Sequence, residues 1–439
     1  MQIEIDEYGF TFPEVPLPEV WTVEQLFDTP TLSLEEVEAQ TRVSVQTLLS
    51  GNSLKKDSSV AVGVGSRGLD NQILVVRTVI EELRNAGMNP FIVPAMGSHG
   101  GATAEGQIEV LHSYGITPEN TGAEIRATME VERIGTLEGE TAGEFAGHPV
   151  WFDKHAFAAD AVLLINRIKP HTDFTNDLES GIAKMCAIGL GKRKGAEGIH
   201  FYGARGLRDV IPRVSRFLAD KLPILGGIAL LENELGRTSE IHALQNDEIA
   251  CEGEKSLLRR AREMSPRLPF AELDVLIVDE LGKNISGAGM DTHVIGRGTM
   301  PSIPEQTWGG PDIRLIAVLD VTDESHGNIT AVGLADLTTK KLIDKADFSK
   351  SLINMRTSGE GGILRARLPV IQPTGEDCVR TAIACCGAHD RDAVRLVRIR
   401  NTAHTRFLEI TAGLLDLARR NPRLKVSEKS HLIDLSRHP

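Results

Sequence analysis

Three polar loops carry side chains whose types suit joint work on one small molecule. Arg67 stands in Gly65-Ser66-Arg67-Gly68, His99 in Gly97-Ser98-His99-Gly100-Gly101, and His171 closes Asn166-Arg167-Ile168-Lys169-Pro170-His171. The planar fork of arginine grips a carboxylate through two parallel hydrogen bonds. Histidine both gives and takes a proton near neutral pH. Two histidines facing one substrate suit a reaction that must run equally well in both directions.

The next stretch is the densest. Ser180-Gly181-Ile182-Ala183-Lys184-Met185 is followed by Gly189-Leu190-Gly191-Lys192-Arg193-Lys194-Gly195 and, shortly after, His200. Lys184 has weakly polar neighbours, where a lysine can shed its proton and act as a nucleophile. The glycine-flanked segments let backbone come close to a ligand. Lys192, Arg193 and Lys194 form a basic knot suited to a phosphate, with a solvated loop as the plain alternative. His200 can ligate a metal through a neutral ring nitrogen, and spacing alone does not say which metal. There is no HExxH and no tight His/Asp/Glu cluster, so a hydrolytic zinc site is unsupported. Gly63-Val64-Gly65-Ser66-Arg67-Gly68 fits GxGxxG after a strand, but no acidic residue ends a second strand about 20 residues on, as a dinucleotide ribose requires. Glu81 and Glu82 fall inside the following helix instead. The chain has 13 histidines, and a lone one is more often surface or structural. That is the expectation for His112, His148, His155, His242, His326, His389, His404, His431 and His438, while His293 in a glycine-rich loop stays open.

The elements that must position these residues follow from periodicity. Residues 1–57 read as an irregular, proline-punctuated lead-in with a helix near 33–50. Short apolar runs at 59–64, 90–94, 161–165 and 226–231 predict buried strands, and helical spacing at 73–86, 103–112, 207–222 and 253–264 predicts helices between them. This alternation predicts a parallel sheet flanked by helices, with ligands at the carboxyl ends of the strands. A second block repeats the pattern. Strands are expected at 274–278, 313–318, 331–334 and 395–399, and helices at 348–355, 377–386 and 407–420. Asp274-Val-Leu-Ile-Val278 echoes Asp160-Ala-Val-Leu-Leu164. The expected architecture is α/β, with two domains, 1–268 and 269–439, each a mainly parallel sheet flanked by helices. The active site is placed in the cleft between them, and the last helix is free to pack back on the first domain.

Composition narrows the class. The chain has 439 residues, 41% hydrophobic and 25% charged, with a net charge of −13. It is long enough for two or three domains with real cores. An acidic chain disfavours a nucleic-acid partner. No apolar run approaches the ~18–20 residues needed to span a bilayer, and the first residues lack the pattern of a secretory signal. The five cysteines, Cys186, Cys251, Cys378, Cys385 and Cys386, form no CxxC pair, so a disulfide framework is not expected. A cytoplasmic protein with no membrane partner is the expectation, its oligomeric state not being legible.

Taken together, Ser66-Arg67, Gly97-Ser98-His99, Pro170-His171, Ser180-Gly181-Ile182-Ala183-Lys184 and Gly198-Ile199-His200, in this order over roughly the first 200 residues, resemble the nickel-dependent lactate racemase family and its 2-hydroxyacid racemase and epimerase relatives. The resemblance implies a nickel-pincer nucleotide, nickel held by pyridinium-3-thioamide-5-thiocarboxylic acid mononucleotide. It implies that Lys184 joins the cofactor, that His200 ligates nickel, that His99 and His171 are the paired acid/bases, and that Arg67 orients the substrate carboxylate. Ser66, Lys192 and Lys194 become candidate cofactor contacts, the two lysines at its phosphate. The implied partners are a small 2-hydroxy acid and cofactor-biosynthesis proteins. Val64 stands where the family places an acidic residue, and the segment from His171 to Lys184, with Asp173, Asn176, Asp177 and Glu179, is longer than in the lactate enzymes, which leaves the particular acid open. Two other classes remain: an NAD-dependent 2-hydroxyacid oxidoreductase, and a non-catalytic carrier of nickel or of a phosphorylated ligand.

Overall fold

Apolar runs too short for helices become strands buried on both faces, as parallel strands are. Ser59–Val64, Ala161–Arg167 and Ile224–Glu232 are of this kind. The computed structural model describes residues 11–52, 54–172, 174–298, 303, 308–357 and 359–439. The chain divides into two compact units: residues 29–265, and residues 266–439 together with the described residues before 29. The expected boundary near 268 therefore lies close to the observed one, but the described part of the lead-in before residue 29 belongs to the second unit.

In the 29–265 unit the sheet order is Asn89–Pro94, Ser59–Val64, Ala161–Arg167, Ile224–Glu232, Thr238–Gln245. The first four strands are parallel and the fifth is antiparallel. Alternate residues Val60, Val62, Val64, Leu163 and Ile165 pack in one core with helices Leu34–Ser50 and Gln72–Asn85. The N-terminus of Leu34–Ser50 is set by a capping box, Ser33 with Glu36, which satisfies two otherwise orphaned N–H groups. A two-stranded antiparallel ribbon, Val131–Thr136 with Pro149–Asp153, is added to the unit.

The second unit holds a nine-stranded sheet. Its parallel half runs Val370–Gln372, Leu337–Thr339, Asp312–Val321, Glu272–Leu281, Leu396–Asn401, and its antiparallel half adds His404–Ile410, Glu19–Gln25 and Leu424–Val426, with His431–Leu432 beside Glu19–Gln25. Leu276 and Val278 face one core, and Val275 and Ile277 face another formed with Cys378, Val379, Ala382 and Ile383 of helix Gly375–Cys385. Glu19–Gln25, hidden within a proline-rich lead-in, is a strand because Val20 and Val23 find a place beside His404–Ile410. The run expected as one helix at 407–420 is a strand, His404–Ile410, and a helix, Ala412–Arg420. Between them the Thr411 hydroxyl donates to Val394 O and accepts from Leu396 N, turning the chain. That helix packs against Glu19–Gln25, His404–Ile410 and Leu424–Val426, the first of which was expected in the first domain. Residues 331–334, expected as a strand, form a tight helical turn, Val332–Leu334, and the strand comes just after it. No described helix is long and apolar enough to cross a membrane. The five cysteines are free thiols; burial pushes Cys378 up to about 12 and Cys186 above its ordinary value as well.

The echo between the blocks has a physical basis. Asp160 precedes the central strand of one sheet, and its carboxylate accepts from Ser59 N at 2.8 Å, the start of the neighbouring parallel strand. Asp274, near the start of the central strand of the other, accepts from Arg395 N at 2.8 Å in the same way. Each aspartate sets the register of a parallel pair.

In the second unit Arg398 is 1% exposed. Its guanidinium meets Asp279 at 2.7 and 3.0 Å and Glu409 at 2.8 Å, and donates to Asp434 O and Arg437 O near the chain end. Removing one member of such a group leaves buried charge without a partner, at a cost of about 3–5 kcal/mol. Arg398→Met is therefore expected to lower stability by about that amount, read as a fall in the urea midpoint with an unchanged slope.

Candidate functional site

Ser66, Arg67, His99, His171, Lys184, Lys192, Lys194 and His200 all lie in the 29–265 unit. Three of the loops leave the carboxyl ends of adjacent parallel strands: Asn89–Pro94 leads to His99, Ser59–Val64 to Arg67, and Ala161–Arg167 to His171. The loop of Arg67 is thus flanked by those of the two histidines.

Ser66 Oγ hydrogen-bonds His99 Nδ1, and Ser66 O accepts from the Tyr114 hydroxyl at 3.2 Å. Ser66, a candidate cofactor contact by sequence, here orients the His99 ring. Arg67 is exposed, and desolvation by the protein around it pushes its pKa down, opposed by Tyr114 and helped by like charge on Arg167. Arg167 is ion-paired with Glu232. No described carboxylate forms a salt bridge with Arg67.

His171 is held by backbone and by stacking. Its N–H donates to Glu179 Oε2 at 2.5 Å, and its ring lies on buried Phe174 at 4.6 Å between centroids. Glu179 also accepts from Asn176 N at 2.9 Å and from Arg262 at 2.5 Å. The excursion is closed at its base by Lys169 and Ser180, which exchange backbone bonds. Asp173, noted in the sequence, lies outside the described residues.

Lys184 is half-buried and ends the short helix Ile182–Lys184, just before a π-helical turn, Met185–Gly189. Such turns recur at functional sites because they displace one residue from the helical ladder. Glu254, 2% exposed, accepts from Ala183 N at 2.9 Å and Ala250 N at 3.0 Å. Asn166 Nδ2 donates to Gly181 O at 2.9 Å, and Ser215 Oγ to Ala183 O at 2.6 Å. A Cβ on Gly181 would lie 2.3 Å from Glu254 Oε1, so the carboxylate reaches the turn only because residue 181 is glycine.

The glycine-rich run after Lys184 behaves differently from its sequence expectation. Gly189 O accepts from Gly97 N at 3.0 Å, and a Cβ on Gly189 would meet Ala95 O at 2.8 Å. Here close backbone approach serves the packing of the Lys184 segment on the His99 loop rather than approach to a ligand.

The basic knot is also divided. Lys192 is 0% exposed. Its ammonium donates to Pro94 O and, at 2.9 Å, to Gln107 Oε1, and stands 3.2 Å from Asp153 Oδ2. Two hydrogen bonds and one buried ion pair hold the ammonium inside the unit, away from the surface. Burial lowers its pKa and Asp153 opposes that shift. Arg193 pairs with Glu197 at 2.7 Å. Lys194 is exposed, over the Trp151 ring at 4.8 Å, and keeps its phosphate role open. His200 ends helix Lys192–His200, exposed, roughly 12 Å along the axis from Lys192 at 1.5 Å per residue. Among the described residues no three His, Cys, Asp or Glu side chains cluster as a metal-binding group. His148, expected to be structural, packs beneath this helix against Gly198 and Tyr202, and burial lowers its pKa.

Sequence reasoning missed Gln107, Asp153, Glu254 and Arg262, and noted Glu179 only as part of a longer segment. A signal for three buried polar residues was present. Glu254 stands on the buried stripe with Leu258 and Ala261, Gln107 with Leu111, and Lys192 with Gly195, Ala196 and Ile199. A polar side chain at core spacing within an amphipathic helix must find an internal partner.

No family model matches the chain, and no curated protein matches it. Among solved structures, a Thermotoga maritima protein is similar over 78% of this chain and 84% of its own, with a TM-score of 0.48 and 14% identity.

Two outcomes follow. Gly181→Ala is expected to cost about 3 kcal/mol, the upper end for overpacking, and to loosen the Lys184 turn, read by urea unfolding and by faster amide exchange at 181–186. Burial raises the Glu254 pKa above 4.5, against the pull of the Ala250, Ala183 and Ile182 N–H groups. A group that binds its proton more readily when folded contributes stability below the unfolded value, and this is lost as pH rises through the folded value. Stability should accordingly show a falling component above pH 4.5, absent in Glu254→Gln.

Proposed function

We propose that this chain is a racemase or epimerase of a small 2-hydroxy acid that works with a nickel-pincer nucleotide. The observation that carries the reading is the convergence of loops at the strand ends, where exposed Arg67, with no carboxylate bridging it among the described residues, follows Ser66 of the Ser66–His99 pair on the loop next to that of His171.

The residues present fit such a group. His200, exposed at a helix end, would supply a protein ligand to nickel. Lys184, half-buried on a turn braced by Glu254 and Asn166, would hold the nucleotide, with Lys194 near its phosphate. When bound, such a group would supply reversible hydride chemistry at Cα. The protein then has three tasks. Arg67 binds the substrate carboxylate and fixes Cα; its two-pronged grip defines a plane about which the acid can present either face. With Nδ1 of His99 tied to Ser66, proton exchange with the substrate hydroxyl falls to Nε2. His171, stacked on Phe174, serves the opposite face. One histidine takes the hydroxyl proton as the keto acid forms, and the other returns a proton to oxygen, so no net redox change occurs.

The dinucleotide reading gains no structural support. The helix after the GxGxxG stretch begins only at Gln72, beyond Asp70 and Asn71, and Gly68 packs on Tyr114.

The test is protein made in cells that also make the cofactor. Native mass spectrometry is expected to show a nickel-containing nucleotide, and a chiral screen of 2-hydroxy acids to show interconversion. His99→Ala and His171→Ala should each lower racemisation at least about a hundredfold, the usual scale of general acid–base catalysis, with the nucleotide retained. Activity within about threefold of wild type in either variant would reject the assignment. NAD consumption without nickel would favour the oxidoreductase, and tight binding without turnover the carrier.

A further inference from the structure

We propose that Lys192 is a positioning residue that holds the loop of His99 from beneath through Gln107. This rests on the reading of His99 as an acid/base group. Its geometry is independent of that reading.

The argument begins with where Lys192 sits. It is the first residue of helix Lys192–His200 and fully buried, and its backbone has φ +51°, a left-handed conformation seldom adopted by a residue with a side chain. Glycine would take this conformation without strain, and glycines stand on both sides at 191 and 195. A lysine persists here because its ammonium has specific work. It bonds Pro94 O, the last residue of the strand that leads into the His99 loop, and Gln107 Oε1, one turn into the helix that follows that loop. Gln107 Nε2 then donates to Gly97 O at 3.0 Å and His99 O at 3.3 Å. The loop is thus gripped at its entry by the lysine and along its length by the amide that the lysine orients. The amide cannot flip without placing its NH2 group against the ammonium, so Lys192 decides which end of Gln107 faces the loop.

Asp153 completes the device. It stands 3.2 Å from the ammonium, equally buried, while its Oδ1 caps Ala156 N at 2.9 Å. A buried ammonium needs such a counter-charge. Because the same helix carries His200 at its far end, one buried charge sets the start of the proposed metal ligand's helix and the height of the acid/base loop together.

The test uses the full chain in three variants. Gln107→Leu removes the donor to the loop. Gln107→Glu keeps an acceptor for Lys192 but lacks N–H groups for Gly97 and His99. Lys192→Met with Asp153→Asn removes both buried charges and keeps the shape. Hydrogen exchange by mass spectrometry is expected to speed up at least about tenfold at 97–103 in all three, with exchange in the Ser59–Val64 strand unchanged. In the cofactor-loaded enzyme kcat should fall at least about tenfold while KM moves less than about threefold, since substrate binding by Arg67 is untouched. Exchange at 97–103 within about twofold of wild type in Gln107→Leu would overturn the proposal. So would a double variant that loses the nucleotide while its loop exchange stays at the wild-type rate, because that result returns Lys192 to the phosphate. Should wild-type protein lack racemase activity, the functional reading falls, and the exchange results still decide the positioning role.

Discussion

The Glu254 carboxylate lies almost wholly out of water between its own helix and the turn that ends at Lys184. A charge there persists only if donors converge on it, and the donors it finds are backbone N–H groups of the turn and of the segment preceding the helix. That requirement fixes the turn. It forces glycine at 181, places Asn166 against Gly181 O, and leaves Lys184 at the start of a π-helical turn. The remaining loops are built on the same constraint: Glu179 gathers His171 N, Asn176 N and Arg262, and Lys192 gathers Pro94, Gln107 and Asp153. The segments that carry Lys184, His171 and His99 each have backbone that answers a buried charge.

This arrangement explains how loops at strand ends hold a defined geometry. A loop at the carboxyl edge of a parallel sheet has few neighbours of its own. Charge-assisted bonds from buried side chains supply the missing contacts, and they are directional where apolar packing is not. Loss of one leaves a buried group unmet, so the loops are tied to the fold by groups buried within it. Supporting groups of this kind hold reacting side chains at a fixed height.

The second unit uses the same physics for a different end. Arg398 with Asp279 and Glu409 ties the centre of its large sheet to the residues near the chain end. A cavity of about 930 Å³ opens beside this group, lined by Asp320, Thr322, Lys341, Lys345, Thr374 and Arg400 among others. Its lysines already pair with Asp320 and its arginine with Glu280, so its charges are largely spent within the protein.

Periodicity and residue type determined much of this by themselves. The strands expected at 59–64 and 161–165, the helix expected at 73–86, and the loops bearing Arg67, His99 and His171 were legible because strand burial and helical spacing are local patterns, and because parallel topology sends successive loops to one edge. The position of residues 19–25 was not legible, since a strand among prolines is defined by a partner nearly 400 residues away. Nor was the fate of the Lys192–Lys194 knot. Three adjacent basic residues look alike in sequence, but only the fold decides that Lys192 turns inward to Asp153 while its neighbours face solvent. The glycines at 181 and 189 were visible as freedom of backbone. What used that freedom, a carboxylate in one case and a carbonyl in the other, depended on which distant segments packed there. Tertiary structure decided these points because the cost of burying charge is set by surroundings, and surroundings are assembled from segments far apart in the chain.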